Sequence, residues 1–409
     1  MTVYFEPTRD AGLARLSEFS AKAGRHYQNS RNSDLGPDNR SNVSALSPYI
    51  RHRLVTEEEV LQTVLAKHTL ASAEKFIQEV FWRTYFKGHL ETRPKIWTNY
   101  CAALQNLKLK GGLASAYNAA VLAQTGIDCF DAWVLELVER GYLHNHARMW
   151  FASIWIFTLQ LPWELGADFM YRHLTDGDPA SNTLSWRWVA GLHTKGKIYL
   201  ARADNIETYT QGRFRPLGLA NSATALEEKE PAPFRGVPTA TSRFPTGKIG
   251  VLITEEDLLL ESFDTQHTEI VAVAGATSVA QRSHLPVSAQ AHSFTEAALA
   301  DSLKRVARKF KCSVLQLPNL TVEAVAMFAK QHSVQILVTP YAPVGPVSEL
   351  LSTLTSGLKA HQIELMQVRR DFDSSAWPHS SKGFFAMKEK IPFLIEKLMR
   401  PGNDQQSLI

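Results

Sequence analysis

Apolar residues in the first half of the chain recur every three or four positions, the period of helices with one buried face, and alternating runs are almost absent there. The spacing predicts helices over 57–67, 73–87, 129–140 and 147–159. From 216 to 248 the chain is rich in Pro, Ala, Ser, Thr and Gly and shows no period, which is the composition of a linker. As a flexible coil of roughly 33 residues it would span about 30 Å. Beyond it, short apolar runs at 249–253, 270–274, 313–317, 335–338 and 364–368 alternate with helical stretches at 294–310, 322–331 and 346–360. Pro346 falls where the first turn of a helix tolerates proline. Buried strands separated by helices imply parallel βαβ units and a doubly wound, Rossmann-like sheet. The predicted fold class is α + α/β: a helical domain at 1–214, a linker at 215–247 and an α/β domain at 248–400. No internal repeat is visible.

Composition narrows the classes. At 409 residues, 44% hydrophobic and 21% charged, the chain has the profile of a globular protein with room for two domains. Cys101, Cys129 and Cys312 are odd in number and scattered, neither a disulfide framework nor a zinc pattern, and they fit a reducing cytosol. The opening MTVYFEPTRD lacks the layout of a signal peptide. The most apolar stretch, 149–163, is interrupted by Thr158, Gln160 and Pro162 and reads as a buried helix, not a membrane span. A cytoplasmic, membrane-free monomer is expected. His144 and His146, two apart on a helix, face different directions, so no metal site is expected. The net charge of +4 means that any nucleic-acid surface must be a local patch. Eight of the nine tryptophans precede residue 190, which marks the helical half as the chemically distinctive one. Asp176-Gly-Asp178, taken alone, suits a magnesium-binding turn or a bare loop equally well.

Four stretches, in order, break that tie: SNVSALSPYI (41–50), EVFWRTYF (79–86), TGIDCFDAWVLELVERGYLHNHARM (125–149) and TDGDPASNTLSWRWVAG (175–191). Together they resemble the FAD-binding domain of DNA photolyases and cryptochromes. The resemblance implies noncovalent FAD. Ser44 and Ser47, small hydroxyls where a helix opens, suit its diphosphate, and Tyr27 and Arg83 are implied beside them. Arg148 and Asp176 are implied as a pair at the flavin ring, where a fixed cation favours anionic reduced flavin. Asn182 is implied to face flavin N5. Leu46, Asn145, Gly177 and Asp178 complete the implied cofactor set.

The same resemblance implies a pocket for a flipped thymine dimer. Trp82 and Trp188 would flank it, Glu79 would hydrogen-bond a dimer carbonyl, and Met149 would place its sulfur on the lesion. Asn145 and His146 are implied on the DNA side. The catalytic set is thus Glu79, Trp82, Asn182 and Trp188. Trp186 and Trp163 match the inner two members of an electron-transfer chain. The outer position falls at Lys110; Trp155 and Tyr117 are the aromatic substitutes at hand, but Trp155, like Trp150 and Trp133, reads as core packing. This chain departs from the family at Thr84, where an acid is usual, and at His146, where an arginine is usual. The family's NGGWQW appears as Asn182-Thr-Leu-Ser-Trp186-Arg-Trp188, and 199–214 only loosely resembles the closing segment.

Photolyases place the α/β domain first, and here it follows the flavin domain. KIGVLITEEDLLLES, FTEAALADSLKRVARKFKCSVLQLPN and GFFAMKEKIP resemble parts of that domain, so the expected domain order is inverted. Relatives hold a second chromophore between the domains; nothing in the sequence identifies one. The implied activity is that of a deoxyribodipyrimidine photo-lyase: light-driven repair of cyclobutane pyrimidine dimers in DNA by electron transfer from reduced flavin. The alternative is a cryptochrome-like blue-light photoreceptor without repair. Repair of another photoproduct, or a dark flavin role, is a third reading.

Overall fold

A computed structural model describes residues 5–228 and 230–400. Its first half is helical, and several helix ends follow from local chemistry. Glu57–Leu65 opens on a capping box: the Thr56 side chain accepts from Glu59 N while the Glu59 carboxylate takes Thr56 N. Asp128–Arg140 stops at Gly141, whose φ of 64° gives the left-handed cap that a glycine adopts at no cost. Glu74–Thr92 runs five residues past the predicted end. The stretch predicted at 147–159 divides into Asn145–Ser153 and a π-helical turn, Ile154–Thr158.

The second half is a five-stranded parallel sheet, β1 (Gly247–Ile253), β2 (Thr268–Gly275), β3 (Ser313–Gln316), β4 (Ile336–Pro340) and β5 (Glu364–Val368), in the order β3-β2-β1-β4-β5. All five lie on the predicted apolar runs. Helices Ala289–Phe310, Val322–Gln331 and Pro346–Leu358 cover its faces, the doubly wound arrangement expected when strands must be buried on both sides. No helix among the described residues is long and apolar enough to cross a membrane.

The two halves share one hydrophobic core. A single cluster joins Leu46, Val60, Val80 and Phe81 of the helical half to Ile249, Phe294, Phe372, Phe384 and Met387 of the sheet half. Ion pairs line the same contact. Arg53 reaches Asp257 at 3.2 Å, and Arg370 holds Asp257 at 2.6 Å. Glu91 accepts from Tyr341 Oη at 2.9 Å and from Val344 N at 2.7 Å.

The linker differs from the free coil its composition suggests. It has no helix among its described residues, but it is pinned along its length. Ala220 N donates to Thr158 Oγ1 (3.1 Å), Leu226 N to Ala190 O (3.0 Å), and Arg187 pairs with Glu228 at 2.7 Å. Arg235 N donates to Thr92 O (2.8 Å), and Arg369 takes Pro238 O at 2.8 Å. Composition reports missing periodicity; it does not report the polar groups that a neighbouring surface offers.

Candidate flavin and base-binding site

The DGD loop is the centre of the site. Asp178 caps helix Pro179–Val189, its Oδ1 accepting from Ser181 N at 2.8 Å, while Oδ2 lies 3.2 Å from Arg83 Nη2. Burial works to raise the Asp178 carboxyl, but the charges of Arg83, Lys87 and Arg51 outweigh it and hold the group well below the usual carboxylate range. Gly177 is tightly enclosed: a Cβ there would lie 2.8 Å from Arg282 Nη1 and 2.9 Å from Tyr171 O. Its carbonyl accepts from Arg51 Nε at 2.8 Å. Asp176 pairs with Arg148, whose Nη2 reaches its two oxygens at 3.1 and 2.9 Å. Arg148 is steadied further by Leu143 O at 3.0 Å and by the Tyr142 ring at 5.3 Å.

Around this loop buried charges of both signs are crowded together. Arg83 sits between Asp178 and Glu57, at 3.2 and 3.5 Å. Lys87 is fully buried; burial and the neighbouring Arg83 and Arg53 bring its amine down to about 8. Arg83 Nε and Nη2 and Lys87 Nζ have no hydrogen-bond partner among the described residues. Arg83 still has the two carboxylates beside it, whereas Lys87 has no ion pair among the described residues; a cation this deep without a directed partner is costly, and an anionic diphosphate would relieve it. Upstream, Ala45 has φ 47° and Leu46 is right-handed. This change of hand turns successive amides to one side as an anion-binding nest. Ser44 precedes it and Ser47 opens helix Ser47–Arg51. Tyr27 is buried and hydrogen-bonded to Arg31. Asn182 donates its amide nitrogen to Ala167 O at 2.8 Å, which leaves its oxygen as the atom to face a partner. The residues present fit FAD.

The base-side residues divide. Glu79 and Trp82 share helix Glu74–Thr92. Glu79 is ion-paired with Arg31, and burial pushes its carboxyl up against that pull. Of the nine tryptophans, seven are buried, and the two left half-buried are Trp82 and Trp188. Asn145 is exposed at the start of its helix, and Met149 is half-buried one turn on. His146 is a correction. It is buried, stacked on Trp150 at 4.0 Å, with Nδ1 at 2.9 Å from Asn32 O and Nε2 at 3.1 Å from Tyr199 Oη. Both nitrogens are engaged inside the protein, so it has none to offer DNA.

Trp186 and Trp163, the implied inner members of the electron-transfer chain, have different aromatic neighbours. Trp186 meets Trp155 edge to face at 6.2 Å, and Trp155 meets Tyr117 at 6.1 Å. Trp163 packs on Tyr100 at 5.5 Å. Gly166 permits the first contact: a Cβ there would lie 2.3 Å from Trp186 Cη2 and 2.8 Å from Trp155 Cε2.

The sequence did not point to Arg51, Glu57, Lys87 or Arg282 around the DGD loop, nor to Phe384, which stacks on Trp82 with ring centroids 3.7 Å apart and planes at 11°. An arginine pair flanking a histidine, Arg51-His-Arg53, ahead of a triple glutamate was the one available signal, and without its partners it reads as surface charge.

These residues carry the charged and hydrogen-bonding groups that a flavin nucleotide requires. Residues 76–213 match the family model described as the FAD binding domain of DNA photolyase; FAD is the cofactor of this chain, and its helical half is similar to that domain over those residues. The deoxyribodipyrimidine photo-lyase of Synechococcus sp. is 29% identical over 192 residues, covering 45% of this chain and 39% of that protein. The enzyme of the same name from Streptomyces griseus is 31% identical over 177 residues, covering 40% and 38%. The match thus spans about two fifths of the length of these relatives. Among solved structures, a class III photolyase of Agrobacterium tumefaciens overlaps with a TM-score of 0.43 at 24% identity, covering 49% of this chain and 42% of that one. A Synechocystis cryptochrome overlaps with a TM-score of 0.45 at 23% identity, covering 51% and 44%.

Proposed function

We propose that the chain repairs cyclobutane pyrimidine dimers in DNA, using light and FAD held at the DGD loop. The observation that carries the reading is the exposure of tryptophan: Trp82 and Trp188 alone of the nine are half-buried, and although Phe384 covers one face of Trp82, a ring with surface left to solvent is what stacking a flipped base requires. The cofactor, when bound and reduced, supplies the electron that splits the dimer. The protein supplies the rest. Arg148, fixed by Asp176, holds positive charge beside the ring. Asn182 presents an amide oxygen that accepts a hydrogen bond and has no labile acid proton to give. Arg83 and Lys87, with Ser44, Leu46 and Ser47, hold the diphosphate, and Tyr27 packs at its edge. Gly177 lets the loop close, and Asn145 stands at the mouth. Glu79, Trp82, Trp188 and Met149 receive the base. The domain order, α/β after flavin domain, belongs to the same proposal, as do the boundaries 1–214, 215–247 and 248–400.

One observation favours the sensory reading: His146, at the position where the family's lesion-side arginine is expected, is turned inward. The test is direct. The reduced, FAD-loaded protein is illuminated with oligonucleotides bearing a single dimer, and restored thymines are counted. Turnover supports repair. Efficient flavin photoreduction with no restored thymine over many light cycles would overturn it in favour of sensing.

A further inference from the structure

Two adjacent phenylalanines near the C-terminal end have opposite fates. Phe384 is buried, 5% exposed, with its ring laid flat on Trp82. Phe385 is 79% exposed. They share the short helix Phe384–Lys388, in which consecutive side chains point about 100° apart. Seating Phe384 on Trp82 therefore drives Phe385 outward beside the base pocket. The segment is held firmly from beneath. Met387 is fully buried, Arg93 Nη2 donates to Ser381 O at 2.7 Å, and Lys388 pairs with Glu74 at 3.0 Å. Lys382 and Lys390 are exposed, and neither lies within ion-pair distance of a carboxylate among the described residues. The one acid of the segment is Glu389.

A rigid turn that offers an uncovered aromatic ring between two unpaired ammonium groups has the makeup of a single-strand contact: rings stack on bases, and lysines take phosphates. Aromatic wedges also fill the gap that a displaced base leaves in a duplex. We propose that residues 381–390 form a DNA-contacting finger, with Lys382 and Lys390 on backbone phosphates and Phe385 against a base neighbouring the one received at Trp82. The inference rests on the base-pocket reading above and extends the DNA surface onto the sheet half of the chain. Local charge of this kind is compatible with a net charge of only +4.

The full-length, FAD-loaded protein is titrated with a duplex carrying one cyclobutane dimer and with its undamaged counterpart, over a range of salt. Phe385→Ser is expected to weaken binding of the dimer duplex by about fivefold to a hundredfold, the loss of one stacked base, and to change undamaged binding little. Lys382→Gln with Lys390→Gln is expected to weaken both duplexes alike and to flatten the slope of log K against log salt by about 2. Flavin content and denaturation midpoint stay at wild-type values in both variants, since these side chains pack on nothing inside. If the wild type prefers the dimer duplex while Phe385→Ser binds it equally well and the salt slope is unchanged, the finger is wrong and the base pocket stands. If the wild type shows no preference but the lysine variant still flattens the slope, the base pocket and the Phe385 contact fall together, and only the phosphate contacts of Lys382 and Lys390 stand. A wild type that binds neither duplex overturns both.

Discussion

Replacing Glu256 by alanine tests whether the sheet half of the chain holds the flavin loop in place. Glu256 accepts from Arg51 through both oxygens, Nη1 at 2.9 Å and Nη2 at 2.6 Å, and the two side chains are 4% and 2% exposed. The same guanidinium spends Nε on Gly177 O. Without Glu256, the nearest remaining countercharge to Arg51 is Asp178, with Oδ2 4.0 Å from Nε. Stranding a buried cation in this way costs about 3–5 kcal/mol. The guanidinium would swing toward Asp178 and slacken the Gly177 bond, so FAD affinity falls with stability; each ~1.4 kcal/mol that reaches the loop is a factor of ten in Kd. Urea unfolding of the apoprotein measures the first effect and a fluorescence titration with FAD the second. The double variant Arg51→Met/Glu256→Leu removes both charges. It should recover most of the stability but not the FAD affinity, because Gly177 O still lacks its donor. A Glu256→Ala protein within about 0.5 kcal/mol of wild type, or a double variant no more stable than the single one, would refute the reasoning.

Two further outcomes follow from buried groups. Burial raises Glu58 to about 7, with Glu57 adding to the rise and Arg370 and Arg53 opposing it. A carboxyl that binds its proton more tightly when folded stabilises the fold fully below its ordinary pKa of 4.5, and loses that contribution as pH rises to about 7. Glu58→Gln should therefore gain on wild type between pH 5 and pH 8, by about 3 kcal/mol, read by denaturation at the two pH values; a constant difference would show the group ionises freely. Trp155→Phe should slow photoreduction of bound flavin nearly as much as Trp186→Phe and more than Trp163→Phe, since Trp186 touches Trp155 and Trp163 touches Tyr100; rates in Trp155→Phe equal to wild type would return the path to Trp163.

Much of the molecule was legible from its sequence. All five strands, the helices at Val322–Gln331 and Asp128–Arg140, and the change from helical to alternating character lie where apolar period places them. Period is local: it depends on which residues along a few turns must share a buried face, and caps such as Thr56 and Asp178 are local too. The pairing of Arg148 with Asp176 was accessible only through the family resemblance, which implies the two residues together; the structure brings them to 2.9 Å. Partners of distant segments were not accessible. Arg51 and Glu256 are separated by 205 positions, and Arg53 and Asp373 by 320. No spacing rule connects them. His146 has the residue type and helix position of a DNA contact, yet Asn32, Trp150 and Tyr199 draw it inside. Trp155 and Trp163 are equally aromatic in the chain, and only the packing against Gly166 brings Trp155 to Trp186. Phe384 and Phe385 are identical neighbours in sequence, and the position of Trp82 alone decides which is core and which is surface. Sequence determines which faces are apolar and which residues carry chemistry; the tertiary fold determines which of them meet, because contact energies act over ångströms while the residues that make them stand hundreds of positions apart.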